Sequence, residues 1–309
     1  MAATPLEMAD ALAPNATGSA EGAVDARWFA AEIAAWAVVY QLLVLNMLVP
    51  ALRTTLSKQP FWTDMLQRPG QVLTNMAEES ILTLACVRPR PTPWAPSRGR
   101  LTPRSLSAHH ISAGALMLAG QLAASPDMWL HGLCLELAFE LVDVVCLLRN
   151  AWPYPVVPAR LKVFTLFHHL PGLCAAPPLV LLGGMHLQEP LQVVGWSLLL
   201  AGGVSLLTDG LKQTRSLQTQ LGQWLALHVL NICGVLLARF YIYPQAGFRV
   251  VAIMTEAQQP DWLVKLAVAG LLSMAVFNVA VVAILLEKLV RFGALFVRHG
   301  GVKTPAKTE

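Results

Sequence analysis

Charge is scarce in this chain of 309 residues: Asp, Glu, Lys and Arg together make up 13%, against about 25% in an ordinary soluble domain. With a hydrophobic fraction of 55% and a mean hydropathy of +0.54, that scarcity excludes a water-soluble globular fold. The five cysteines, Cys86, Cys134, Cys146, Cys174 and Cys233, form no CxxC and no even framework. A disulfide scaffold is thereby excluded, and they read as small core residues. The eight histidines are too few for membrane di-iron chemistry, and HxxxH and HxxHH spacings fail because position 165 is Thr. No phosphate loop, GxSxG or zinc-finger spacing occurs, which leaves nucleotide hydrolysis, serine hydrolase chemistry and a metal centre without support. No internal repeat is visible. A cleavable signal peptide is not expected either, since Glu7, Asp10, Glu21 and Asp25 outweigh Arg27 ahead of the first apolar run.

What the chain does have is long apolar runs. A stretch of about 20 residues crosses a hydrocarbon core roughly 30 Å thick, and seven are legible: Ile33 to Leu52, Ser105 to Ala124, Met128 to Leu148, Val163 to Gly183, Leu191 to Thr208, Gly222 to Tyr243 and Leu263 to Leu286. They lack period-two alternation, so they predict helices and not barrel strands. The expected fold is all-α, a polytopic membrane bundle of about seven helices. The first run is read as a retained anchor at 33–52, after a lumenal tail at 1–32.

Orientation follows from the basic residues. With a lumenal N-terminus, the loop at 53–104, the loop with Arg149, Arg160 and Lys162, the loop with Lys212 and Arg215, and the tail at 293–309 with Lys288 and Arg291 just before it hold 18 of the 22 Lys and Arg. This is the asymmetry of the positive-inside rule, and the Asn15-Ala16-Thr17 sequon in the lumenal tail agrees with it. The net charge of +4 therefore reflects topology and gives no reason to expect nucleic acid. Gln71 to Val87 carries Glu78 and Glu79 mid-run, and inserting it would invert every later loop. It reads instead as an amphipathic helix on the cytoplasmic membrane face, followed by the basic, Pro-rich VRPRPTPWAPSRGRLTPR.

Charged groups inside a span cost about 2.5 to 3.5 kcal/mol each at a helix centre, so their placement is informative. Glu136, Glu140 and Asp143 lie at i, i+4 and i+7, on one helical face, and that face is expected to look into the bundle. His228, Asn231 and Arg239 form a second inward stripe. His109, His110, Asp143, His168, His169 and Asp209 are expected at similar depth, in the cytoplasmic half. A carboxylate there could orient an imidazole for proton transfer. Adjacent imidazoles diverge by 100° on a helix, so only one of His168 and His169 is expected to face the same pocket. Lone histidines such as His131 and His228 fit hydrogen-bonded packing as well as chemistry.

Taken in order, these motifs resemble the TLC domain, the multi-helix membrane module named for the TRAM, Lag and CLN proteins. PRSLSAHHISAG looks like its Ser/His opening, ELAFELVDVVCLL is similar to the helix with its acidic residue at Asp143, and LKVFTLFHHLPGL matches its paired histidines at His168 and His169. LLARFYIYP resembles a helix end with Arg239 before aromatics and Pro, and MAVFNVAVVAILLEKLVRF the last helix, with Asn278. The resemblance covers residues 105–292. Ceramide synthases of the family carry a further His-Asp pair, where this chain has SLLLAGGVSLLTDGLKQTR with Asp209 alone. The resemblance thus implies the branch outside the ceramide synthases.

Three functions are carried forward. The first is a protein of lipid homeostasis in the endoplasmic reticulum or another endomembrane, binding, sensing or regulating a membrane lipid or acyl chain through Glu136, His109, His110, Asp209, His228 and Arg239; its protein partners are unspecified. The second is an acyl-CoA-dependent acyltransferase. In it His168 or His169 acts as base or nucleophile, Asp143 or Glu140 orients it, and Arg160, Lys162, Lys212 and Arg215 receive the phosphates of acyl-CoA as substrate, with no resident cofactor. The third is a membrane transporter, which the absence of repeats disfavours. In the first two readings the carboxylate stripe should face a central cavity and reach His168 or His169, with Arg239 at the narrow lumenal end.

Overall fold

The computed structural model describes residues 23–40, 103–149, 159–213 and 221–298. The loop at 53–104 with its amphipathic helix, the second half of the first anchor, the Asn15 sequon, Arg215 and the C-terminal tail lie outside them, as do the side chains of Arg160, Asp209 and Lys212.

The described residues are all helical apart from turns. They form α1 (Ala26–Val39), α2 (Pro103–Leu122), α3 (Pro126–Leu148), α4 (Ala159–Leu181), α5 (Glu189–Gln213), α6 (Leu221–Glu256) and α7 (Asp261–Arg298). Four of them, in α4, α5, α6 and α7, are long and apolar enough to cross a membrane, which marks a multi-pass membrane protein. At about 1.5 Å per residue, the 36 residues of α6 and the 38 of α7 exceed a hydrocarbon core. The outer surface agrees: Leu230, Leu237, Phe248, Leu272, Val276, Val279 and Val290 are exposed large hydrophobics, a belt that would aggregate in water.

Local chemistry sets the breaks. Ser125 caps α3, its hydroxyl accepting from the Met128 amide at 3.4 Å, with Pro126 in the first turn, where its missing N–H costs nothing. Gly184, at φ 59°, turns the chain between α4 and a short 3-10 turn at Met185–Leu187, a left-handed geometry that favours glycine. In α6 the α-helix Leu221–Leu236 passes through a π-helical turn, Leu237–Ile242, before Tyr243–Glu256 continues. Pro244 has no N–H to donate to Phe240, and its ring would press on that carbonyl. The wider turn immediately before it lets the helix run on.

This corrects the sixth span. It does not end at Tyr243 but extends to Glu256, so Arg239 lies near the middle of a helix and not at its lumenal end.

Neighbouring rods are antiparallel, with Asp143 of α3 meeting His169 of α4 and Arg239 of α6 meeting Asn278 of α7. Among the described residues α1 and α3 run parallel, Glu32 meeting His131 at 2.8 Å. Helices in lipid gain little from burying apolar surface against one another, so close backbone approach and hydrogen bonds hold them. The α2–α3 seam shows it: a Cβ on Gly132 would strike Met117 and, at 2.9 Å, the Ala113 carbonyl oxygen. The apolar core gathers at the end where α3, α5 and α7 begin, around Met117, Trp129, Leu137, Val180, Met254 and Leu263. Of the cysteines, Cys134 is buried there, whereas Cys174 and Cys233 are exposed on the outer surface. The core-residue expectation fails for those two because thiols tolerate an apolar exterior.

Candidate functional site

Each polar side chain of the site is set by helical period. Glu136, Glu140 and Asp143 fall on one face of α3, and that face looks onto a cavity of about 490 Å³ bounded by α2 to α7. The cavity runs from Trp129, Leu191 and Ala267 at one end of the bundle to Asp143, Phe164 and Lys288 at the other. Its first half is walled by Met117, Leu133, Leu179, Val180 and Val194; its middle and second half carry His110, the three carboxylates, His168, His169, Ser205 and Arg239. The result is a mostly apolar chamber whose polar groups gather in one half, its polar half.

Two clusters organise the polar half. In the first, His109 and His110 of α2 converge on Glu136 of α3: His109 Nε2 lies 3.0 Å and His110 Nδ1 3.1 Å from Oε2. Adjacent imidazoles point apart, yet here one uses its outer and one its inner ring nitrogen, so both reach one carboxylate. All three are buried, and their donor atoms lie within 4.8 Å of one another. They are the residues best placed to hold a cation, and the distances are those of imidazole N–H groups donating to the carboxylate.

In the second cluster, His169 Nε2 sits 2.9 Å from Asp143 Oδ2, while its Nδ1 lies 3.6 Å from Glu140 Oε1, beyond a direct hydrogen bond. Glu140 Oε2 has no partner. The Glu140 carboxylate lies against Gly172, where an added Cβ would collide with it. His168 stacks on Phe277 of α7 with ring centroids 4.2 Å apart, and its Nδ1 is unpartnered.

Both histidines therefore border the cavity, contrary to the expectation that only one could. Two faces of α4 touch the chamber, because it packs between α3 and α7; one imidazole turns to each.

Arg239 occupies the third corner. The π-helical turn places it in the wall, its Nη1 donating to Asn278 Oδ1 at 2.6 Å. Its guanidinium also lies 5.5 Å from the centre of the Phe277 ring, within cation–π range.

Other expected residues lie elsewhere. His228 does not line the cavity; its Nε2 is 2.8 Å from the Leu285 carbonyl oxygen, and its ring stacks on Trp224. It is a packing residue joining α6 to α7, since its position on the α6 face is turned from the chamber. His109 sits behind His110, outside the lining. His131 pairs with Glu32, which also accepts from the Trp36 indole at 2.9 Å, and pins α1 to α3. Lys162 is half-buried on the first turn of α4 and does not line the chamber. The cavity also engages Gly172, Phe277 and Lys288, which carried no functional signal in the sequence.

No known family, curated protein or solved structure matches this chain.

Proposed function

We propose that this is a TLC-like multi-pass protein that takes a single-chain lipid, or one acyl chain, into its central cavity and thereby acts in lipid homeostasis of an endomembrane. The observation that carries the reading is the division of the cavity. An apolar half gives a hydrocarbon chain a wall of Leu, Val, Trp and Met, while the carboxylates, imidazoles and Arg239 meet a polar head. At about 490 Å³ the chamber lies in the range of a pocket for one small ligand, about 300 to 1,000 Å³, which suits a single chain better than a two-chain phospholipid. In this reading seven helices cross the bilayer, α2 and α3 among them: their polar side chains lower their apolarity but face the interior, where they satisfy one another. The endoplasmic reticulum is the membrane we favour.

The test is native mass spectrometry of the full-length protein gently extracted from membranes, joined to lipidomics of cells lacking it. A single-chain lipid at one copy per protein supports the reading. A chamber that carries no lipid from any membrane, with an unchanged lipidome, sinks it.

One observation favours acyl transfer as a second reading. His169 is oriented by Asp143 within the chamber, the arrangement that would let an imidazole exchange a proton with a bound acyl donor. Turnover of acyl-CoA by purified protein, lost in His169→Ala and His168→Ala variants that still fold, would support it.

A further inference from the structure

Arg239 is buried, with 7% of its surface exposed, and it lies in the cavity wall. Its Nη1 is held by Asn278, but Nε is buried without a hydrogen-bond partner. Among the described residues no carboxylate comes within ion-pair distance of it. The acids facing the same chamber are engaged elsewhere or stand apart: Glu136 takes His109 and His110, Asp143 takes His169, and Glu140 lies against Gly172. A guanidinium stays charged at any relevant pH, and an unpaired charge inside a membrane protein is strongly unfavourable. A neighbouring donor is also unused, His168 Nδ1, and Phe277 is shared by both side chains, the His168 ring stacked on it and the guanidinium within cation–π distance. Gly202 of α5 faces the guanidinium without a side chain: an added Cβ there would stand 3.5 Å from Arg239 Nη2, in ordinary contact.

We infer that Arg239 and His168 form an oxyanion subsite for the carboxylate or phosphate head of a single-chain lipid, whose chain extends past Leu271 and Val180 toward Ala267. This rests on the lipid-binding reading and adds the charge class of the ligand. The anion supplies the missing counter-charge, and a planar guanidinium meets an oxyanion with two parallel N–H donors.

The experiment measures binding of palmitate, hexadecyl phosphate and hexadecanol, three heads on one chain length, to full-length protein in neutral-lipid nanodiscs, with inorganic phosphate as a chain-free competitor. Palmitate or hexadecyl phosphate is expected to bind at least tenfold more tightly than hexadecanol. Arg239→Gln should erase that difference while leaving hexadecanol unchanged, and Arg239→Lys should keep part of it. Whichever anion binds more tightly identifies the head. Should Arg239→Gln fail to fold, the wild-type comparison and the lysine variant still decide. Equal affinity for acid and alcohol overturns the subsite but leaves the lipid-binding reading standing; no binding of any of the three removes both. Displacement of palmitate by millimolar inorganic phosphate overturns the assignment to a lipid head.

Discussion

His169 Nε2 lies 2.9 Å from Asp143 Oδ2, and this contact ties α4 to α3 at the polar half of the cavity. Polar contacts between membrane helices average about 0.6 kcal/mol and reach about 1.7 kcal/mol, because the separated helices also find partners. A double-mutant cycle with Asp143→Ala and His169→Ala should therefore give a coupling of about 0.5 to 2 kcal/mol in unfolding from mixed micelles. A coupling of zero would mean that the contact holds nothing together.

Gly172 leaves room for the Glu140 carboxylate, and an alanine there would place its Cβ on the carboxylate oxygens. Overpacking costs about 1 to 3 kcal/mol, and because the group met is the free end of the Glu140 side chain, the low end, about 1 kcal/mol, is expected here. Gly172→Ala should destabilise the protein by that amount, and Glu140→Ala in the same chain should recover most of the loss by removing the obstruction. If the second change adds to the damage, the glycine matters for its backbone and not for the space it leaves.

These two contacts show what the sequence can and cannot convey. The stripe Glu136, Glu140 and Asp143 was legible because a helical period fixes a face, and three acids cannot all face lipid. That it would reach His168 or His169 followed from their similar depth, though not which of the two imidazoles would meet Asp143. The place of Arg239 was misjudged because Pro244 reads as a stop, whereas a π-helical turn carries the helix through it. Spacing alone does not reveal such a turn, since it arises from a balance between one missing hydrogen bond and the packing of the whole rod. His228 was assigned to the cavity by spacing from Arg239, and the same turn shifts the register between them. Phe277 and Gly172 were silent, because a contact partner on another helix leaves no mark on local pattern.

His186 lies in the 3-10 turn between α4 and α5, outside the membrane spans, and is buried. Burial holds its pKa below the ordinary histidine value, with the Val180 backbone opposing the shift. The folded state thus resists protonation more than the unfolded chain does, so this contribution to stability is complete above the unfolded pKa and is lost as pH falls through the folded one. Stability should decline on acidification below about pH 6.5, and His186→Gln should flatten that part of the profile. An identical decline in the variant would assign the effect to other groups.

Charge divides the two ends of the bundle. Arg149, Lys162, Lys288, Arg291 and Arg298 gather where α4 begins and α7 ends, while Asp25, Glu32, Asp127, Glu189, Glu256 and Asp261 gather at the opposite end. By the positive-inside rule the first end is expected to face the cytoplasm. In a cysteine-free background, Arg298→Cys should react with an impermeant maleimide on sealed microsomes, and Asp261→Cys only after permeabilisation. The reverse pattern would invert the protein and place the polar half of the cavity on the lumenal side.

In the proposed complex, chain length should be read by the oily end of the chamber. Ala267 is buried at 2% exposure beside Leu263 at the start of α7 and lines the cavity there, so a phenylalanine at this position would occupy space that the proposed ligand's chain end requires. The polar half, some ten residues further along α7 at Phe277, would be untouched, leaving the head where it is. Each methylene that loses its seat gives up about 0.8 kcal/mol, so displacing two should weaken a sixteen-carbon ligand by roughly tenfold to twentyfold. A ligand shorter by those two carbons should keep its affinity, because it never reached the altered wall. The measurement is a series of saturated chains, ten to eighteen carbons, bound to wild type and to Ala267→Phe. A uniform loss across all lengths would mean that the substitution harms the fold. No change at any length would mean that the chain runs elsewhere, toward the end bounded by Phe164 and Lys288.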